Sequence, residues 1–369
     1  MGLNCGIVGL PNVGKSTIFS ALTSAPAEAA NYPFCTIDPN VGIVNVPDKR
    51  LKKISGIIVP AKEIPAIVEF VDIAGLVKGA SQGEGLGNQF LSHIRQVGMI
   101  IHVVRCFDND DITHVSGKID PASDIEIINI ELALADLSTV EKRIEKSVKQ
   151  LRSPDKDISK KAAAMAPILE QLKDSLGQGI PARSMDLTDE QIEDVQELQL
   201  ITMKKQMFVC NVDENGVNTE NEYVKKVRTV ADSEGAETVV ISGALEADIA
   251  ALETEEEKQE FLEEAGLDES GLSKLIHKAY SALGLRTYFT AGADENRAWT
   301  FNDGALAPEA AGIIHTDFQK GFIKAEVYHC DDLFELGSEA AIRKAGKLRQ
   351  EGKTYVVKDG DVMHFKFNV

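Results

Sequence analysis

The sequence has no long apolar run. None approaches the roughly 18 residues that a helix needs to cross a bilayer, and the longest, such as Met99–Val104, are strand-sized. The N-terminus also lacks the charged region, apolar run and small-residue cleavage site of a signal peptide. We therefore expect a cytoplasmic location and no contact with a membrane.

Cysteine is sparse as well. The chain has five cysteines in 369 residues, widely spaced and without a C-x-x-C pair. This spacing argues against a zinc site and against a disulfide framework. Several of the cysteines lie in apolar, strand-like runs, where a cysteine usually serves as a small buried hydrophobe.

Positive charge is in the minority, with 39 Lys and Arg against 58 Asp and Glu and a net charge of −19. This balance works against long-range attraction of nucleic acid by the whole molecule. Two local basic clusters could still contact RNA, although solvated helix faces explain them equally well at this stage. The clusters are Lys142, Arg143, Lys146, Lys149 and Arg152, and Arg343, Lys344, Lys347 and Arg349.

Strand-like runs alternate with helical segments in two parts of the chain. Asn4–Leu10 and Met99–Cys106 are almost continuously apolar, which is typical of strands buried on both faces. Further strands are predicted at Ile67–Asp72, Gln206–Asn211 and Glu237–Ser242. The alternation predicts an α/β fold with a doubly wound, mostly parallel sheet.

A different period separates these two parts and predicts a helical hairpin. Apolar residues at spacings of four and three indicate two helices packed as a coiled coil, turning near Ser153-Pro154-Asp155. We divide the chain into an α/β domain (1–128 and 201–283), a helical insertion (129–200) and a small α+β domain (284–369). The two seams are Ile130, Leu134, Leu137, Ile144, Val148 and Leu151, and Ala162, Met165, Leu169, Leu172 and Leu176.

Residues 9–16 match the phosphate-binding pattern G-x-x-x-x-G-K-[ST] between a strand and a helix. In that context successive backbone N–H groups converge on phosphate oxygens. Lys15 would reach the β- and γ-phosphates, and the Ser16 hydroxyl would bind Mg²⁺. The predicted phosphate-binding residues are Asn12, Val13, Gly14, Lys15, Ser16 and Thr17.

Asp72-Ile73-Ala74-Gly75 follows a second predicted strand. The Asp72 carboxylate can hold Mg²⁺, directly or through water, and the Gly75 N–H can sense the γ-phosphate. Thr36 is a candidate second Mg²⁺ ligand, although a capping threonine explains it about equally well. The glycine-rich segment 75–87 is suited to ordering when a γ-phosphate is present.

The end of the Gln206–Asn211 strand bears on the choice of nucleobase. Small GTPases read guanine there with Asn-Lys-x-Asp, whereas this chain has Asn211-Val212-Asp213-Glu214. With Glu214 in place of the matched aspartate, guanine's paired donors lose their acceptor, so ATP is predicted over GTP. The turn formed by Ser242, Gly243 and Ala244 could supply backbone contacts to the base.

The catalytic water is not positioned in the usual way. Small GTPases place glutamine after D-x-x-G, and this chain has Leu76, which can neither donate nor accept. Either hydrolysis is slow or another group positions the water. His114, in the loop after the Met99–Cys106 strand, is the candidate for positioning the water, and it is predicted to be a catalytic residue together with Lys15. His102 lies in the middle of that strand and is expected to be a core residue.

Together these motifs resemble the YchF/Obg-like ATPase family, an Obg-related group of TRAFAC-class P-loop NTPases, almost from end to end. His315–Phe318 with Gly321–Ile323 resembles the family's TGS domain, a β-grasp module. The resemblance implies ATP preference through Asn211 and Glu214, and His114 as the catalytic histidine. It also implies potassium stimulation through Asn12. Further matching segments are Gly9–Thr17, Pro33–Asn40, Asp72–Gly87 and Val362–Val369.

The family resemblance also implies association with ribosomes and a role in translation or stress regulation. Our leading prediction is a slowly hydrolysing, Mg²⁺-dependent ATP switch that acts as a monomer and alternates between ATP and ADP. A GTP-dependent ribosome-assembly factor and a non-hydrolysing nucleotide sensor or scaffold are the alternatives.

Overall fold

The computed structural model describes residues 4–24, 40–73, 86–114 and 117–368. The described chain separates into two units. Residues 4–24 and most of 69–272 form the first, and residues 43–68 together with 273–368 form the second. Among the described residues, no helix is long and apolar enough to span a membrane.

The described residues form twelve strands and fourteen α-helices, numbered in chain order. The strands are β1 (Asn4–Val8), β2 (Val41–Asn45), β3 (Lys62–Ile64), β4 (Ile67–Asp72), β5 (Met99–Arg105), β6 (Lys205–Asn211), β7 (Glu237–Ile241), β8 (Leu285–Thr290), β9 (Glu295–Asn302), β10 (Phe322–His329), β11 (Arg349–Glu351) and β12 (Asp361–Phe367). The helices are α1 (Lys15–Thr23), α2 (Lys49–Ile57), α3 (Leu86–Gln96), α4 (Pro121–Gln150), α5 (Lys156–Gly177), α6 (Asp189–Val195), α7 (Glu222–Glu234), α8 (Gly243–Ala251), α9 (Glu255–Glu264), α10 (Gly271–Ala282), α11 (Ala307–Ile314), α12 (Thr316–Lys320), α13 (Cys330–Leu336) and α14 (Glu339–Lys344).

The first sheet has the strand order β2-β4-β1-β5-β6-β7. Strand β1 pairs in parallel with β4 and β5, and β5, β6 and β7 continue in parallel. All seven residues of β5 are buried, as its apolar composition requires when helices cover both faces. The predicted doubly wound, mostly parallel α/β sheet is therefore confirmed.

The helical hairpin is formed by α4 and α5. The turn between them lies where it was predicted, and Asp155 caps α5 by accepting hydrogen bonds from the backbone N–H groups of Asp157 and Ile158. Helix α4 begins at Pro121, ahead of the predicted insertion. Its first turns are buried, because Ile125 packs in the same cluster as residues of β5, β6 and α7.

The packing face of α4 corrects the predicted seam. The α5 positions Leu169, Leu172 and Leu176 are buried as predicted, but Ile130 and Val148 of α4 and its C-cap residue Leu151 are 41%, 48% and 41% exposed. The prediction was wrong at these three positions of the first seam, although its period was right. The buried line of α4 uses small or medium side chains that allow close packing, with Leu137 and Ile144 partly buried beside it. These buried residues are Ala133, Val140 and Ser147.

The second sheet has the order β11-β10-β12-β8-β9-β3. Its five C-terminal strands include a central parallel β8–β12 pair, with antiparallel neighbours on either side, and agree with the β-grasp prediction. Tyr288, Phe301, Phe322 and Met363 are buried in its core with residues of α11.

The sixth strand of this sheet, β3, comes from early in the chain and pairs in parallel with β9. The buried Asn296 of β9 strengthens this association, because its side-chain nitrogen donates to Ser55 Oγ and to Ile58 O at 3.1 and 2.7 Å. Residues 43–68 thus group with the C-terminal residues, which the predicted division did not anticipate. The three domain boundaries remain a prediction.

Candidate nucleotide-binding site

The loop between β1 and α1 carries the phosphate-binding pattern. Its backbone curls through left-handed conformations at Asn12 (φ 63°) and Gly14 (φ 88°), which glycine adopts without a steric cost. A Cβ at Gly9 would lie 2.8 Å from Val103 O, and one at Gly14 would collide with the side chain of Asn211. Glycine is therefore required at Gly9 and Gly14, because a larger residue would contact Val103 O or the Asn211 side chain too closely.

Asn211, the last residue of β6, holds this loop in place. Its side-chain nitrogen donates to Val13 O at 2.8 Å, and its side-chain oxygen accepts from the Gly243 N–H at 2.9 Å. The side chain is buried, so both bonds are formed away from bulk water. Asn211 thus connects the phosphate loop to the start of α8 while it lines the pocket described below.

Lys15 and Asp72 form an ion pair at the carboxyl ends of β1 and β4. The parallel pairing of Ile7 with Asp72 explains the placement, because neighbouring parallel strands end at the same edge of a sheet. Ser16 and Thr17 have exposed side chains in the first turn of α1. A lysine, a hydroxyl and a carboxylate at a helix N-terminus suit a polyphosphate with Mg²⁺, a cation that prefers oxygen ligands.

A pocket of about 390 Å³ lies beside the phosphate loop. It brings together predicted residues from three separate segments, namely the phosphate loop, the end of β6 and the start of α8. Its fourth wall is the first part of the loop after β5, and these lining residues were not among the predicted site residues, although His114 of the same loop was. The lining residues are Asn12, Gly14, Thr17, Asn211, Val212, Asp213, Glu214, Asn215, Gly243 and Ala244, and from the fourth wall Phe107, Asp108, Asn109 and Ile112.

The loop after β5 could have been found by the argument that pointed to His114. It follows a buried parallel strand, so it must emerge at the same sheet edge as the phosphate loop. The hydroxyl of Ser242 is buried, accepts from the Leu245 N–H at 3.4 Å and caps α8, while a backbone contact of Ser242 to the base remains a prediction. Thr36, Gly75 and Leu76 lie outside the described residues, and their roles remain predictions.

His114 is buried and paired with a carboxylate. Its Nε2 lies 3.0 Å from Asp124 Oδ2 in the first turn of α4, and both side chains are less than a tenth exposed. Burial raises the pKa of the Asp124 carboxyl, whereas His114 acts to lower it. The neighbouring Thr113 O accepts from the Asn12 side chain at 3.2 Å, which connects this segment to the phosphate loop.

His102 is a core residue, as expected from its position in β5. It lies 3.3 Å from Gln206 on the neighbouring strand and is buried. Burial, with a smaller contribution from Arg183, lowers the pKa of His102 to about 3. The ring is therefore neutral at physiological pH.

Two family models match this chain. The model described as "50S ribosome-binding GTPase" matches residues 4–142, and the YchF-GTPase_C model, described as "Protein of unknown function (DUF933)", matches residues 285–368. The first match covers the first part of the predicted α/β domain and the start of the predicted helical insertion, and the second covers the predicted small α+β domain.

Proteins similar over their whole length are known from bacteria and yeast. Proteins named ribosome-binding ATPase YchF from Bacillus subtilis and Escherichia coli O157:H7 are 57% and 53% identical to this chain, with all of both chains covered. The solved structure of the Schizosaccharomyces pombe YchF GTPase is 41% identical, with a TM-score of 0.88. That match covers 98% of this chain and 97% of the yeast chain.

Proposed function

The chain belongs to the YchF family, and we propose that it is a Mg²⁺-dependent ATPase that acts as a switch on the ribosome. The observation that carries this proposal is the pocket that joins the phosphate loop to Val212 and Glu214. The names of the relatives differ on the nucleotide, since the bacterial proteins are named ATPases and the yeast protein a GTPase. The pocket chemistry is therefore the basis for choosing between them.

The end of β6 supports adenine rather than guanine. Val212 is 2% exposed and packs in the apolar cluster around β6, so it cannot act as the lysine of the guanine motif does. The carboxylate of Asp213 accepts from the Gly216 N–H at 2.7 Å and is used to turn the chain. Glu214 has one methylene more than the aspartate that matches guanine's two donors, and a site built for such donors depends on that match.

The residues near Lys15 in the phosphate loop indicate how the protein would bind Mg²⁺ and K⁺. We assign Ser16 and Asp72 to Mg²⁺, with Thr36 as a further ligand, and Lys15 to the β- and γ-phosphates. Mg²⁺ would neutralise charge on the phosphate oxygens, while the backbone N–H groups of the loop orient them. Asn12 uses its side-chain nitrogen for Thr113 O, so its side-chain oxygen is the atom that would bind K⁺.

Nucleotide hydrolysis tests this proposal directly. The parent protein should hydrolyse ATP slowly and prefer it to GTP in kcat/KM, and Lys15→Ala should abolish turnover while circular dichroism stays unchanged. Lys173→Ala on α5 is the matched control and should hydrolyse ATP at the parent rate. Far tighter binding of GTP would favour the ribosome-assembly GTPase, and absent turnover in the parent protein would favour the sensor or scaffold.

The helical hairpin is our candidate for contact with ribosomal RNA. Lys142, Lys146 and Lys149 lie on one flank of α4 and are exposed. In the C-terminal cluster, by contrast, Lys347 pairs with Asp332 and Glu335. Exposed lysines on one helix face suit the phosphate backbone, whose contacts weaken as salt is raised.

Charge reversal on the two basic clusters tests the RNA contact. Lys142→Glu with Lys146→Glu should weaken cosedimentation with ribosomes and flatten its salt dependence. Arg343→Glu with Lys344→Glu changes the net charge equally and should have a much smaller effect. Equal losses in both variants would show a non-specific effect of charge and contradict the assignment. The same samples, run with ATP, ADP or no nucleotide, test the switch.

We further propose that the protein acts as a monomer in the cytoplasm. Sedimentation velocity across a concentration series, with and without nucleotide, would detect a dimer.

A further inference from the structure

Arg105, the last residue of β5, has the largest fully buried side chain among the described residues. Its hydrogen bonds to the described residues go to backbone carbonyls of one loop, residues 107–112. The Nε atom donates to Phe107 O at 3.1 Å, Nη1 to Ile112 O at 2.9 Å and Nη2 to Asn109 O at 3.0 Å. The guanidinium therefore closes this loop from the inside.

Such a burial is stable only when the charge is well compensated. Three carbonyl dipoles point at the Arg105 guanidinium, and the Phe107 ring lies 4.8 Å from its carbon. The planar fork of arginine can reach three acceptors at once, which the single ammonium of lysine cannot match in geometry. The loop conformation thus depends on this side chain.

The loop that Arg105 closes is the fourth wall of the nucleotide pocket. The start of helix α7 holds it from the outside, because the Tyr223 hydroxyl donates to Asp108 at 2.9 Å and the N-cap residue Asn221 donates to the O atom of Cys106, directly before the loop, at 2.8 Å. The pocket wall is therefore held from within by Arg105 and from without by α7.

We propose that Arg105 is a positioning residue for the nucleobase, and that it sets base selectivity by keeping residues 107–112 in the conformation that lines the pocket. The inference rests on the proposed binding of ATP. A wall that is already ordered adds no cost of ordering when the base binds, whereas a loose wall would have to be ordered at each binding event. A loose wall would also adapt to either purine and discriminate less between them.

Replacing Arg105 should weaken the binding only of ligands that carry a base. Arg105→Met keeps an unbranched buried side chain and removes the three donors. For this variant we expect the Kd of Mg²⁺–ATP to rise on the order of tenfold and the ratio of GTP to ATP dissociation constants to fall toward one. The Kd of Mg²⁺–tripolyphosphate, which has no base, should change less than about twofold, because the phosphate loop is held by Asn211. Isothermal titration calorimetry of the full chain measures all three.

Two further variants keep the proposal falsifiable. Arg183→Met removes another largely buried arginine, which pairs with Glu234 at 2.7 Å. It should leave two ratios of dissociation constants at the parent values, namely GTP to ATP and tripolyphosphate to ATP. Tyr223→Phe loosens the same loop from its exposed side and should shift both ratios in the same direction as Arg105→Met, but by a smaller amount. If Arg105→Met does not fold, the result for Tyr223→Phe decides the question. Parent-like ratios in a folded Arg105→Met, or equal losses for ATP and tripolyphosphate, would overturn the inference. A parent protein that binds ATP no more tightly than tripolyphosphate would overturn the proposed function itself.

Discussion

Two glycines in left-handed conformations, Gly14 (φ 88°) and Gly235 (φ 62°), have different surroundings. Gly235 ends α7, and an added Cβ would meet nothing within 4 Å. At Gly14 the added atom would collide with Asn211, which itself holds the phosphate loop through Val13 O. The same backbone conformation thus has a local role in one case and a tertiary role in the other.

Replacing each glycine by alanine separates these roles. Both variants should lose on the order of 1 kcal/mol of unfolding free energy from backbone strain. Only Gly14→Ala should also lose nucleotide affinity, by about tenfold or more, because 1.4 kcal/mol of distortion at the site already has that effect. Chemical denaturation and titration with Mg²⁺–ATP measure the two quantities. Parent-like affinity in Gly14→Ala would show that the loop relaxes without cost.

The pair of His114 and Asp124 yields a second prediction at this scale. If His114 assists proton transfer, His114→Ala should lower kcat about 10²- to 10⁴-fold with little change in the Kd of ATP. Asp124→Asn removes the charge that faces His114 Nε2 and should lower kcat less. The exposed His93 on α3 offers the control His93→Ala. A parent rate in His114→Ala that still binds ATP would remove His114 from the mechanism.

At the scale of elements, the helical hairpin is joined to the α/β sheet by a buried carboxylate. Asp136 of α4 accepts from the backbone N–H groups of Ile201 and Thr202 at 3.0 and 2.7 Å, and from Thr202 Oγ1 at 2.7 Å. Burial raises the pKa of Asp136, although these hydrogen bonds act to lower it. The segment that leads from the hairpin to β6 is thus attached to α4 at Asp136.

Removing this carboxylate should cost much of the stability of the first unit. Asp136→Ala leaves three buried donors without an acceptor, so we expect a loss of about 3 kcal/mol in unfolding free energy. Asp174→Ala, an exposed aspartate on α5, should stay within about 0.5 kcal/mol of the parent. Urea unfolding followed by circular dichroism compares them, and equal stabilities would show that water replaces the carboxylate.

At the scale of the whole molecule, the second unit is built from two distant parts of the chain. Residues 43–68 supply β3 to the edge of the C-terminal sheet and accept hydrogen bonds from the buried Asn296. Arg50 in the same segment pairs with Asp359 at 2.7 Å. The C-terminal residues alone therefore lack an edge strand and partners for a buried amide.

This dependence can be tested by dissection. The fragment 284–369 alone should be less stable than the same residues in the full chain and should aggregate through the bare edge of β9. A peptide of residues 43–68 added in trans should restore part of the stability, whereas the same peptide with Ile64→Asp should not. Thermal unfolding and size-exclusion chromatography report the result. A monomeric fragment that unfolds at the temperature of the full chain would contradict the prediction.

The parts of this protein that the sequence determined by itself are those set by local chemistry. The phosphate loop needs only a strand, two glycines, Lys15 and a helix start, and these are consecutive residues. The buried parallel strands follow from apolar runs such as β5. The seam of α5 and the turn at Asp155 follow from the helical period and from capping.

Only the tertiary structure decided the features that join distant residues. A three-residue strand such as β3 has no pattern of its own, so its sheet is set by the partner it meets. The face of α4 depends on which side chains allow α5 to approach, and here the small Ala133 and Ser147 were favoured over longer apolar residues. The role of Arg105 was also hidden, because its partners are backbone carbonyls, which every residue has, and only the folded loop points three of them at one guanidinium.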